Sequence, residues 1–188
     1  MRYEVLLFLH IAAAIVWLGG AMVIQYFAFR AERADDALEM HRVASDAEWL
    51  AMRLFVPASL AVLAFGILLV LDGPWDFDQL WIVLGLVGSA FSFLLGTLFL
   101  SPESGRIAKL IEAHGPAHEA VTSRISRILA LSRFELAILF AVVLDMAMKP
   151  TAEDGWFWVL AAAIILAGGA LALQSYRRPR GGTAADLA

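Results

Sequence analysis

The residue best placed to do chemistry is a histidine inside a membrane-length apolar run: His10, in YEVLLFLHIAAAIVWLGGAMVIQYFAF. Hydrocarbon offers a polar side chain no water, so an ionisable group there needs a partner or a role. Neutral imidazole ligates haem iron, copper or zinc, and it can relay protons near its ordinary pKa of about 6.5. Trp17 follows at i+7 and Ala14 at i+4, which puts both rings on one helix face with a small residue between them. Further along, Asp145, Met146 and Lys149 close another apolar run, LDMAMKP. Asp145 and Lys149 stand at i and i+4, acid before base, the favourable order for a helical ion pair. The blander reading is a lysine snorkelling to headgroups with the aspartate as its counter-ion. Taken on antiparallel helices, His10 lies about 9 Å below the outer edge, and His10, Asp145 and Lys149 fall within roughly one helical turn of the same depth.

Haem b would take His10 as one axial ligand, its sixth position open or filled by Met22, Met146, Met148, Lys149 or His10 of a second chain. Copper would combine His10 with methionine thioethers, although the methionines are scattered rather than clustered. The other histidines, His41, His114 and His118, fall in polar connections. His114 and His118 are four apart, but Gly115-Pro116 interrupts the helix that would converge them on a metal, so they read as loop residues. There is no phosphate loop, no Ser-His-Asp spacing and no H-E-x-x-H motif. The absence of cysteine excludes disulfides, thiolate nucleophiles and cysteine-held clusters.

The elements that must position these residues are membrane helices. Hydrophobic residues make up 61% of the 188-residue chain, and the mean hydropathy is +0.76, against about 45–50% apolar for a soluble domain. Five apolar stretches read as spans, at 4–29, 53–71, 80–100, 134–148 and 156–176. The fourth is short for the roughly 20 residues a crossing needs, so its helix is expected to start in the preceding loop. The expectation is an all-α polytopic bundle in one domain, 1–176, with a disordered cytoplasmic tail at 177–188. The first stretch is not expected to be a cleavable signal peptide: it exceeds the usual core, and Gly19-Gly20-Ala21 is followed by more apolar sequence.

Twelve of the fourteen Lys and Arg residues lie in segments 30–53, 101–133 and the tail, leaving Arg2 and Lys149 for the other side. Basic loops stay in the cytoplasm, so the N-terminus is expected outside and the C-terminus inside. Trp49, Trp75, Trp81, Trp156 and Trp158 mark headgroup level as anchors. The cytoplasmic connections read as solvated helix ends, with Ser101-Pro102-Glu103 as a helix start. Arg124, Arg127 and Arg133 read as a basic stripe attracted to anionic lipid. Gly85, Gly88, Ser89, Ser92 and Gly96 in the third span, Gly19-Gly20 in the first and Gly168-Gly169 in the fifth allow close helix approach, expected within the bundle rather than between chains.

LHIAAAIVWLGG in the first span, with SRISRI before the fourth and MAMKP closing it, resembles DUF2269, a family of predicted bacterial integral membrane proteins. The likeness covers roughly residues 3 to 176 and implies the bacterial cytoplasmic membrane. The His, Trp and Gly-Gly pattern is also similar to the CopD copper-resistance proteins, and more distantly to HemJ-type protoporphyrinogen oxidases and the membrane part of certain bacterial urate oxidases. Those resemblances imply metal, haem or redox work in the outer half of a helical bundle, centred on His10 and Trp17.

The functional expectation is therefore a haem- or metal-binding redox protein with His10 as metal ligand, and Trp17, Asp145, Met146 and Lys149 around the cofactor, which would be haem b or copper. The alternatives are an accessory subunit or scaffold of a larger membrane complex, and a transporter of copper, protons or another small solute. Expected partners are the lipid bilayer and a homo-oligomer or larger complex, not nucleic acid.

Overall fold

Among the described residues, 2–115 and 118–177, the computed structural model is entirely helical. Helix α1 spans Arg2–Ala34 and ends where Asp35 turns left-handed (φ 52°). Asp36 then caps α2 (Ala37–Leu50), its carboxylate accepting the Glu39 N–H at 2.9 Å. That bond satisfies one of the orphan donors of a helix start. Helix α2 does not stop at the membrane. It widens into a π-helical turn at Ala51–Phe55 and runs on as α3, Val56–Asp72. The same happens downstream: α4 (Leu80–Leu94) widens at Leu95–Leu100 and continues as α5, Ser101–His114. Helix α6 (Glu119–Met148) and helix α7 (Gly155–Arg177) complete the chain.

Both π turns have the same local cause. Pro57 and Pro102 follow them after one intervening residue, Val56 and Ser101, and a proline ring lacks an N–H and clashes with the carbonyl four residues earlier. Those carbonyls belong to Arg53 and Leu98, inside the widened segments. Ser101-Pro102 is thus a mid-helix dislocation rather than the helix start expected of it.

Among the described residues, four helices are long and apolar enough to cross a membrane: Arg2–Ala34, Leu38–Asp72, Leu80–His114 and Gly155–Gln174. The expected span at 134–148 lies within α6, whose apolar part is interrupted by Glu135 and Asp145 and preceded by Arg133. Helix α1 packs along α3, α3 meets α4, α4 packs along α6, and α6 returns to α1, while α7 lies along α6. Glycines set the closest approaches. A β-carbon on Gly88 would fall on Val142, and one on Gly168 would fall on Ala137. Gly20, Gly85, Gly88 and Gly168 are thus close-approach points inside the bundle, whereas Gly19 and Gly96 have nothing within 4 Å.

One end of the bundle, here the His10 end, is tied by Arg2 to Asp72 at 3.4 Å and by the Trp75 indole donating to Tyr3 Oη at 3.2 Å. The opposite, basic end holds the main core. Ala28, Ala31, Met40, Val43, Ile107, Val121, Ile125 and Leu129 are buried together there. The connections expected to be solvated helix ends instead pack α2 against α1 and α6, and α5 against α6 and α2. Full burial of one such aliphatic side chain from water contributes about 1.5–3 kcal/mol. Apart from Arg177, which ends α7, the tail at 177–188 lies outside the described residues.

Candidate functional site

His10 docks on α3. Its Nδ1 lies 2.9 Å from the Val62 carbonyl oxygen, and since a carbonyl can only accept, Nδ1 carries the proton and donates. In the neutral ring, the lone pair is then on Nε2. Gly66 makes room for the ring: a β-carbon there would sit 3.2 Å from Cε1 and 3.4 Å from Nδ1. A metal-ligating histidine commonly anchors its other nitrogen on a carbonyl or carboxylate in this way.

Trp17, one helical face below, is buried with Ala58 of α3 and Leu139 of α6. The first span and α6 therefore touch. Gln25 accepts from Arg133 Nε at 3.2 Å, and Glu32 pairs with Arg133 at 2.8 Å, extending the contact to the basic end. Counting outward from Trp17 and Leu139, at 1.5 Å per residue, brings His10 and Asp145 to the same depth within about one turn.

They share a depth but not a face. Asp145 is 2% exposed. With Met146 it turns to Gly85 on α4, where the Met146 methyl occupies the place a β-carbon would take and Asp145 Oδ2 lies 3.7 Å from it. Neither Asp145 oxygen has a hydrogen-bond partner among the described residues. The i,i+4 pair expected with Lys149 is not made. Lys149 is the left-handed cap of α6 (φ 47°), and its N–H donates to the Asp145 carbonyl at 2.8 Å. Its ammonium lies over Trp75 at 4.0 Å and beside Trp81 at 5.3 Å. Lys149 is exposed, and cation–π attraction at an exposed site is worth about 0.5–1 kcal/mol, so these tryptophans hold a charge.

A cavity of about 520 Å³ occupies the basic half of the bundle. It runs from Trp17, Ser59 and Ser92 at mid-bundle to the exposed Ser45 and Glu48 on α2. Both π turns line it, through Ala51, Met52 and Phe55 and through Gly96, Thr97 and Leu100. Gly96 has nothing within 4 Å of where its β-carbon would be, in keeping with an unfilled space. Glu135 lies at the mid-bundle end, and one of its oxygens accepts from the Ser92 hydroxyl. π turns recur at functional sites.

The basic stripe divides by partner. Arg133 pairs with buried Glu32, Arg124 pairs with Glu103, and exposed Arg127 borders a groove of about 630 Å³ between α5, α6 and α7. His114 and His118 do meet, ring centroids 4.8 Å apart, although the helix breaks at Gly115 (φ 85°). Among the described residues, no group of three or more His, Cys, Asp or Glu side chains converges as a metal site would need.

The sequence matches a family described as predicted integral membrane protein, DUF2269, over residues 4–150. No curated protein matches it, and no solved structure does.

Proposed function

The chain belongs to the DUF2269 family of predicted integral membrane proteins, and from that premise we propose a membrane-embedded redox protein that binds haem, or else a metal, at His10. In this reading α6 is a fifth span, since it lies between α4 and α7 despite its charges. The N-terminus is outside and the C-terminus cytoplasmic, following the distribution of basic residues, and the bacterial inner membrane is the expected location.

One observation carries the reading: His10 Nδ1 is held by the Val62 carbonyl, which leaves Nε2 as a metal donor. A bare copper ion asks the protein for several donors, whereas a tetrapyrrole brings its own and needs only an axial ligand. His10 fits that single role, so haem b is favoured over copper. Bound haem would supply one-electron chemistry in the outer half of the bundle. The chain's own part is to fix the imidazole tautomer through Val62, to wall the site from the basic half with Trp17, and to offer Asp145 and Lys149 as the nearby groups able to hold a proton or a propionate. Any further donor the group needs would come from Met22, Met146, Met148, Lys149 or His10 of a second chain, or that position would stay open.

Titrating hemin into detergent-purified protein tests this. A saturating Soret band lost in His10→Ala is expected, at one haem per chain for an open position and one per two chains for a shared one. Equal uptake by His10→Ala would overturn the assignment.

The cavity favours a second reading, passage of a small solute. Glu135 lines that cavity, whereas His10 and Asp145 do not, so flux in proteoliposomes unchanged by Glu135→Gln would count against it.

A further inference from the structure

The cavity of the basic half has a chemistry of its own, separate from His10. Its lining is largely apolar, yet it includes two carboxylates, Glu48 at the mouth and Glu135 at the mid-bundle end, and no Lys or Arg. Arg133, two residues from Glu135, is turned away onto Glu32 and Gln25. Glu135 thus meets no cation among the described residues, and its one hydrogen bond is from Ser92. Its second oxygen makes none, and it is not among the side-chain oxygens shut away from solvent. Three aromatic rings, Trp17, Phe55 and Phe93, line the same space.

We propose that this cavity is a binding site for a monovalent organic cation with an apolar body. A carboxylate in a low-dielectric pocket attracts positive charge far more strongly than in water. Aromatic rings add attraction for ammonium-like or phosphonium-like groups. The apolar walls, built from small residues such as Ala44, Ala47, Ala51 and Ala108, receive the ligand's hydrocarbon. An inorganic divalent ion would want a shell of oxygen ligands, and Glu135 provides one carboxylate. The π turns help explain why the space exists. Each widens a helix where it passes the cavity, and Ala51, Gly96 and Thr97 there are too small to fill the gap.

The test uses the whole protein in nanodiscs and a matched pair of probes, tetraphenylphosphonium and tetraphenylborate, alike in size and opposite in charge. Equilibrium dialysis against empty nanodiscs removes simple partition into lipid. The expected result is saturable tetraphenylphosphonium binding with no saturable tetraphenylborate binding. Glu135→Gln should weaken it by about tenfold or more, since the countercharge is lost from a desolvated site. Glu135→Asp keeps the charge and should retain most of the affinity, and Glu153→Gln, exposed at the His10 end, should change nothing. His10→Ala should leave binding intact, so loss of the haem reading and loss of this one are separable. Wild-type protein that binds both probes alike, or neither above empty discs, would overturn the proposal whatever the variants do. So would a well-folded Glu135→Gln variant that binds like wild type.

Discussion

The imidazole of His10 and the carboxyl of Asp145 meet the same difficulty, a polar group without water, and the bundle treats them differently. His10 is given a backbone carbonyl and a glycine to lie against. Asp145 is turned with Met146 toward Gly85 and has no hydrogen-bond partner among the described residues, an arrangement that is costly for a buried polar group. The histidine's ring position rests on Gly66, which yields a sharp prediction. Gly66→Ala must displace the ring by a few tenths of an ångström. An off-rotamer cost of about 0.5–1.5 kcal/mol should weaken hemin binding roughly two- to tenfold. Alanine is the better helix former, so the melting temperature should hold or rise. Unaltered affinity in Gly66→Ala would mean that the ring pose does not matter to the site.

At the scale of elements, α6 is the organising helix: it contacts α1, α4 and α7 and carries Arg133, Glu135 and Asp145. Its seam with α7 leaves no room at Gly168, where a methyl group would land on the Ala137 β-carbon. Gly168→Ala should therefore cost about 1–3 kcal/mol through overpacking. Gly19→Ala, with nothing within 4 Å, should be neutral or stabilise by up to about 1 kcal/mol. Thermal unfolding in detergent distinguishes them, and equal melting temperatures would contradict the packing described. Helix content was legible from the apolar runs because hydrocarbon-length hydropathy is a strong, local signal. So was the use of Gly85, Gly88 and Gly168 inside the bundle, though not the open surroundings of Gly19 and Gly96. The continuity of α2 with α3 and of α4 with α5 was not, because Pro102 reads equally as a helix start and as a widened turn. Nor was the capture of Lys149 by Trp75 and Trp81, since a local i,i+4 rule sees Asp145 and not a loop more than seventy residues away. Gly66 gave no signal in an apolar run. Glu135 did, as an acid within apolar sequence, and its partner Ser92 emerges only from the pairing of α4 with α6.

Across the whole molecule, the two sites lie in opposite halves: the His10 layer at one end, the carboxylate-lined cavity opening at the other. The basic residues are the ground on which we propose which face of the membrane each addresses, and the chain's lack of cysteine makes this directly measurable. Asp76→Cys and Glu153→Cys should react with a membrane-impermeant maleimide in intact cells, and Ser45→Cys and His114→Cys only after permeabilisation. The reverse pattern would invert the orientation and place the cavity mouth outside. The most direct test of the central claim, a redox cofactor held by His10, is the absorption spectrum of protein purified from haem-replete cells, air-oxidised and then dithionite-reduced, with metal analysis of the same sample. The account predicts a Soret band that shifts on reduction and is missing from His10→Ala. A colourless, metal-free wild-type protein would contradict it.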